Sequence, residues 1–188
     1  MRRALAFAIL AAALLTASPA AAQSESNGWF ASPFLGTTFS GDTTKSAPVV
    51  GAAAGWMGGR VGFEGEVADA PDFFEQTGFL TSQRVTTVMG NALYSPSYGA
   101  VRLYGTAGAG LVRPHLAEAG DLASIEVSKF GFNVGGGIIG YVSDHAGVRG
   151  DIRYIRTAGS SDADVNAFGL DLSKFEFWRA SAGLVVKF

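Results

Sequence analysis

The chain contains no cysteine and only two histidines among its 188 residues. Without thiols it forms no disulfide and carries no lipidated cysteine of the lipoprotein kind. Charge is scarce as well, at 16% against about 25% in soluble domains. A net charge of -2 sets up no basic field for nucleic acid. Beyond residue 22 no apolar stretch approaches the roughly 18 residues of a spanning helix. Because only helices and closed barrels cross lipid, the exported chain is either soluble or a barrel.

The first residues supply a reason to expect export. Arg2 and Arg3 give a positive start, Ala4 to Leu15 an apolar core, and Ala20-Ala21-Ala22 a small-residue cleavage site before Gln23. This is the pattern of a secretory signal peptide. The expected organisation is therefore a signal peptide over 1–22 and one domain over 23–188. Glycine is abundant, 26 residues, about twice its ordinary share.

Alternation dominates the mature chain. Back from Phe188, every second residue is apolar: Val186, Leu184, Ala182, Ala180 and Trp178, with Lys187, Ser181 and Arg179 between them. A strand turns successive side chains to opposite faces. Eight such segments are predicted: Gly28–Phe39, Pro48–Met57, Arg60–Ala68, Gln83–Tyr94, Ala100–Arg113, Glu126–Val142, Gly147–Arg156 and Lys174–Phe188. Gly58-Gly59, Ser95–Gly99 and Ser143–Ala146 read as short turns, the first a two-residue Gly-Gly hairpin. Ser40–Ala47, Asp69–Ser82, Pro114–Ile125 and Thr157–Ser173 read as long loops. Long and short connections that alternate suit a membrane barrel with loops outside and turns in the periplasm.

The two faces sort by chemistry. Val61, Phe63 and Val67 oppose Glu64 and Glu66, with Arg60 and Gly62 on the charged side. Phe130, Phe132, Val134, Ile138 and Val142 oppose Lys129, Asn133, Gly135, Gly137 and Tyr141. Val148, Ile152 and Tyr154 oppose Arg149, Asp151 and Arg153. Turning an Arg into the hydrocarbon midplane costs about 2–4 kcal/mol, so the charged face is expected at the barrel axis. The expected lumen network is Glu64, Glu66, Arg102, Lys129, Asn133, Arg149, Asp151, Arg153 and Arg179. An eight-stranded barrel has an interior just wide enough for side chains, so these groups plug the lumen rather than line a pore.

Several stretches carry a resemblance. The opening Gly28-Trp29-Phe30, "GFEGEV" (Gly62–Val67) before "PDFF" (Pro71–Phe74), "GNALYS" (Gly90–Ser95), "YGTAGAGLVRP" (Tyr104–Pro114) and "FGFNVGGGIIGYVSDHAGVRGDIRY" (Phe130–Tyr154) stand with the terminal Phe188. Together they resemble the OmpA/OmpX-like, opacity-type outer membrane protein beta-barrel domain family over the whole mature chain. The resemblance implies an all-β, eight-stranded antiparallel up-and-down barrel in the outer membrane of a Gram-negative-type cell. It implies that Ala182, Leu184, Val186 and Phe188 act as the signal for the barrel-assembly machinery. Outer membrane lipids and lipopolysaccharide would surround a monomer that needs no cofactor and binds no nucleic acid. No peptidoglycan-binding domain is expected after the barrel.

Other chemistry is thinly supported. The glycines from Gly105 to Gly140 follow no phosphate-loop spacing, and bends or close backbone approach explain them better. An outer-membrane lipid A hydrolase or acyltransferase would need a base. His145 falls in a predicted periplasmic turn, while His115 has Ser124, Glu118 or Glu126 in the vicinity without a spacing that enforces a triad. Asp42, Asp162 and Asp164 lack any calcium-loop spacing. The loops hold Phe73, Phe74, Phe79, Leu80, Leu116, Leu122, Phe168, Leu170 and Leu172, which suggests packing over the mouth or strands that run past the bilayer. Trp29, Trp56, Tyr94, Tyr98, Tyr141, Tyr154 and Trp178 read as interfacial girdle residues. The expected role is structural or surface-interacting and not enzymatic, with no catalytic or metal site. The alternatives are a narrow channel or hydrophobic conduit, a lipid A-modifying enzyme, and a soluble periplasmic ligand-binding barrel.

Overall fold

Alternation over ten residues or more leaves each strand one apolar and one polar or small face. Curling the sheet on itself hides the second and abolishes free edges. A computed structural model describes residues 27–41, 46–71, 80–96, 100–118, 124–126, 128–158 and 176–188, with backbone alone at 80–83, 114–118 and 124–126. The expected signal peptide over 1–22, Tyr98, and most of the residues between the strand ends, including Asp42, Asp162 and Asp164, lie outside that description. The strands are β1 (Gly28–Gly41), β2 (Pro48–Met57), β3 (Val61–Pro71), β4 (Leu80–Tyr94), β5 (Val101–Glu118), β6 (Ser124–Glu126), β7 (Lys129–Tyr141), β8 (Ala146–Thr157) and β9 (Glu176–Lys187).

All pairings are antiparallel between chain neighbours, and β1 pairs with β9 from Phe30 opposite Lys187 to Phe39 opposite Trp178. The sheet therefore closes. Nine segments still make eight staves. β7 pairs with β5 through Lys129 opposite Val112, and β6 through Glu126 opposite His115. Those two pairs lie on one continuous register, so β6 is the outer continuation of β7.

Strands run further than the sequence pattern indicates at one end of the barrel. Much of the expected loop Pro114–Ile125 is strand, leaving residues 119–123 between β5 and β6. Leu80 and Leu116 belong to extended strands. β4 continues to Leu80, past Arg84, where its pairing with Pro71 of β3 stops. β4, β5 and β6 thus project together as a three-stranded extension. Counted between strand ends, 119–123 is no longer than 95–100 on the opposite side, so loop length alone does not mark the two ends. The projection does, because a spanning strand needs only about 9–11 residues and β5 has 18.

Two details depart from expectation. Gly58 N–H donates to Val61 O at 2.8 Å, which places the β2–β3 turn on Gly59 and Arg60, one residue later than predicted. Arg60 is accordingly exposed rather than lumenal. At the outer end of β1, Ser40 (φ 56°) and Gly41 (φ 89°) take left-handed backbone where the β1–β9 register shifts. A Cβ on Gly41 would also stand 2.9 Å from Phe177 Cα.

Candidate functional site

The outward face is apolar along its length. Phe63, Val67, Val88, Leu103, Val134, Ile152 and Leu184 are exposed. Aromatic pairs band both ends: Trp29 and Trp56 against Phe63 near the short turns, Phe130 with Phe132 and Tyr154 with Trp178 near the projecting end. Tyr141 is not among them. It is half-buried against the inner cluster at the short-turn end, with Lys187 Nζ 4.8 Å from its ring centre. Its parity on β7, shared with Lys129 and Asn133, turns it inward. Ala182, Leu184, Val186 and Phe188 all lie on the exposed face.

The lumen has three layers. At mid-height, Arg149 Nη1 and Nη2 donate to Glu64 Oε2 and Oε1 at 2.7 and 3.3 Å. Arg153 Nη2 donates to Glu64 Oε1 at 2.6 Å and its Nε to Asp151 Oδ1 at 2.7 Å. Glu66 faces Arg153 Nη1 at 3.2 Å and accepts from Arg179 Nη2 at 2.7 Å. Three carboxylates and three guanidiniums thus neutralise one another, as buried charges must. Asn133 enters indirectly: its Nδ2 donates to Asn91 Oδ1 at 2.7 Å, and Asn91 Nδ2 to Glu64 Oε1 at 3.2 Å.

Two other expected members stand apart. Lys129 is buried near the projecting end, in register with Val112. Arg102 is buried beside the β2–β3 turn, and among the described residues no carboxylate pairs with it. Asn91 and Tyr104 were not expected in the network. The Tyr104 hydroxyl donates to Asp151 and accepts from Arg149 Nε at 2.6 Å. Their inward parity on β4 and β5 was readable, but no sequence signal says which inward residues meet across the axis.

Apolar layers close both sides of the ionic one. Toward the projecting end lie Phe34, Val49, Val85, Met89, Val112, Ile155 and Phe177. Toward the short turns lie Phe30, Met57, Leu93, Tyr104, Ile139 and Val185. The recess above the network, lined by Thr38, Val49, Val85, Phe177 and Arg179 among others, has a volume of about 10 Å³, near one water. Glycines give the long side chains room. A Cβ on Gly137 would sit 2.7 Å from Tyr104 Cζ, and one on Gly135 2.9 Å from Arg153 Cγ.

The remaining chemistry is sparse. His145 lies in the exposed turn between β7 and β8. His115 is opposite Glu126, and Ser124 opposite Ala117, in backbone register. Among the described residues no cluster of three or more His, Cys, Asp or Glu could hold a metal.

A closed antiparallel barrel with an apolar exterior, aromatic bands and a charge-balanced core is a membrane barrel. The sequence profile of the family described as "Outer membrane protein beta-barrel domain" matches residues 7–174. The chain belongs to that family and is an outer-membrane protein. Solved structures share the fold at low identity. Neisserial surface protein A is 17% identical with a TM-score of 0.64, over 85% of this chain and 96% of its own. OprG from Pseudomonas aeruginosa is 14% identical, TM-score 0.57, over 89% and 99%. Ail, the attachment invasion locus protein of Yersinia pestis, is 18% identical, TM-score 0.51, over 86% and 99%. A comparison with curated protein sequences finds no match.

Proposed function

We propose that this protein is a non-enzymatic structural or surface-interaction component of the outer membrane whose barrel does not conduct. The observation that carries this is the layered lumen. A solute would have to part six mutually paired charges and then an apolar plug on either side. The β4–β5–β6 projection supports the outward-facing half of the reading, because it extends backbone beyond what the bilayer requires.

Planar-bilayer recording of the purified protein tests the sealed lumen: no unitary conductance is expected above the lipid background, and resolved channel openings overturn the reading. Lipid A from cells that overproduce the protein should keep its acyl number, and a changed number would restore the enzyme alternative.

A further inference from the structure

The charge balance of the middle layer leaves Arg102, a buried cation, outside it. Arg102 is 5% exposed. Its Nη1 reaches Gly58 O at a marginal 3.5 Å, and its Nε is buried with no hydrogen-bond partner. No ion pair joins it to a carboxylate among the described residues. It is the first inward residue of β5 after the 95–100 turn, one inward step below Tyr104, in register with Ile139. This places it at the short-turn end of the lumen, beside the apolar layer to which Ile139 belongs.

Among the described residues a second cation stands near it, with a carboxylate on that cation's other side. Lys187, half-buried over the Tyr141 ring, lies within electrostatic reach of Arg102 and of Asp144. Asp144 is exposed in the β7–β8 turn. A guanidinium kept from water without a counter-charge costs several kcal/mol. Its planar fork of donors matches the oxygens of phosphate or carboxylate. A second cation on the same mouth favours the more highly charged of those two.

We propose that the periplasmic mouth of the barrel is a binding site for a phosphate-type oxyanion, held by Arg102 with Lys187 adding charge. The site is a dead end. Tyr104, the next inward residue of β5, stands between it and the ionic layer, so the ion binds without passing through. The proposal does not rest on the sealed-lumen reading, since binding at this end requires no passage through the ionic layer.

The test is thermal unfolding of the full chain, folded in neutral detergent and titrated with sodium phosphate against sodium chloride at matched ionic strength. Phosphate well above its dissociation constant should raise the midpoint by about 5 °C or more. Arg102→Gln should abolish the rise, and Arg113→Gln, an exposed cation on the outer face, should keep it. An equal rise in Arg102→Gln, or none in the wild type, overturns the site. Should Arg102→Gln fail to fold, the arginine side-chain N–H resonances of the wild type decide: one must shift on adding phosphate.

Two further arms separate the sources of the anion. A rise with phosphatidylglycerol vesicles that exceeds the rise with free phosphate, and is absent with phosphatidylcholine, assigns the oxyanion to a lipid headgroup. Glu25, outside the described residues, is the carboxylate nearest in sequence to β1. A phosphate response that appears only in Glu25→Gln would make the counter-ion internal and overturn the proposal.

Discussion

Glu64 joins the two arginines that hold the middle of the lumen together. Its side chain is fully buried between Arg149 and Arg153, so Glu64→Gln leaves both guanidiniums short of countercharge. The expected loss is about 3–5 kcal/mol, read as a lower urea midpoint in lipid vesicles and as weakened heat resistance on gels. Conductance should stay at background, because the apolar layers are untouched. Glycine gives the sharper contrast. Gly137→Ala drives a methyl into Tyr104 and should cost about 1–3 kcal/mol. Gly65→Ala faces outward with nothing nearer than Ala54 O at 4.0 Å, and should change the same midpoint by less than about 0.5 kcal/mol.

At the scale of the strand, parity is what the sequence makes legible. The outward runs Val61–Val67 and Phe130–Val142 and the inward charges of β3 and β8 lie on the faces that alternation assigns them. Placing Arg at Val134, in the middle of β7 and 56% exposed, should destabilise the folded barrel by about 2–4 kcal/mol. An urea titration in vesicles checks this, and a change near zero would mean that the face is hydrated. Strand ends were less legible. Residues 114–118 and 124–126 carry Pro114, charges and small residues that suit a loop, yet pairing against a neighbour already in place extends the ladder through them. Arg60 was misplaced for a related reason: it sits in the turn itself, where strand parity does not apply, while Glu64 and Glu66 keep the face that alternation assigns them.

For the whole molecule, closure decides which inward residues meet. Alternation along β3 and β8 says that Glu64 and Arg149 look inward, but not that they share a height. That depends on strand tilt and stagger around the cylinder, and it also sorts Phe177, Val85 and Met89 into one plug and Met57, Leu93 and Val185 into another. Two independent plugs predict redundancy. Phe177→Ala alone should leave planar-bilayer conductance at background, since the ionic layer and the lower plug remain, and channel activity in that variant would show that one layer carries the seal.

Period-two patterning, scarce charge and a missing apolar helix were enough to read a membrane barrel and the orientation of its faces from the residues in order, because each is a local property of neighbouring side chains. The pairing of Glu64 with Arg149 across 85 positions, the entry of Tyr104 into the ionic network and the isolation of Arg102 came from closing the sheet. Contacts across the axis are set by register and tilt, which no stretch of the chain encodes alone.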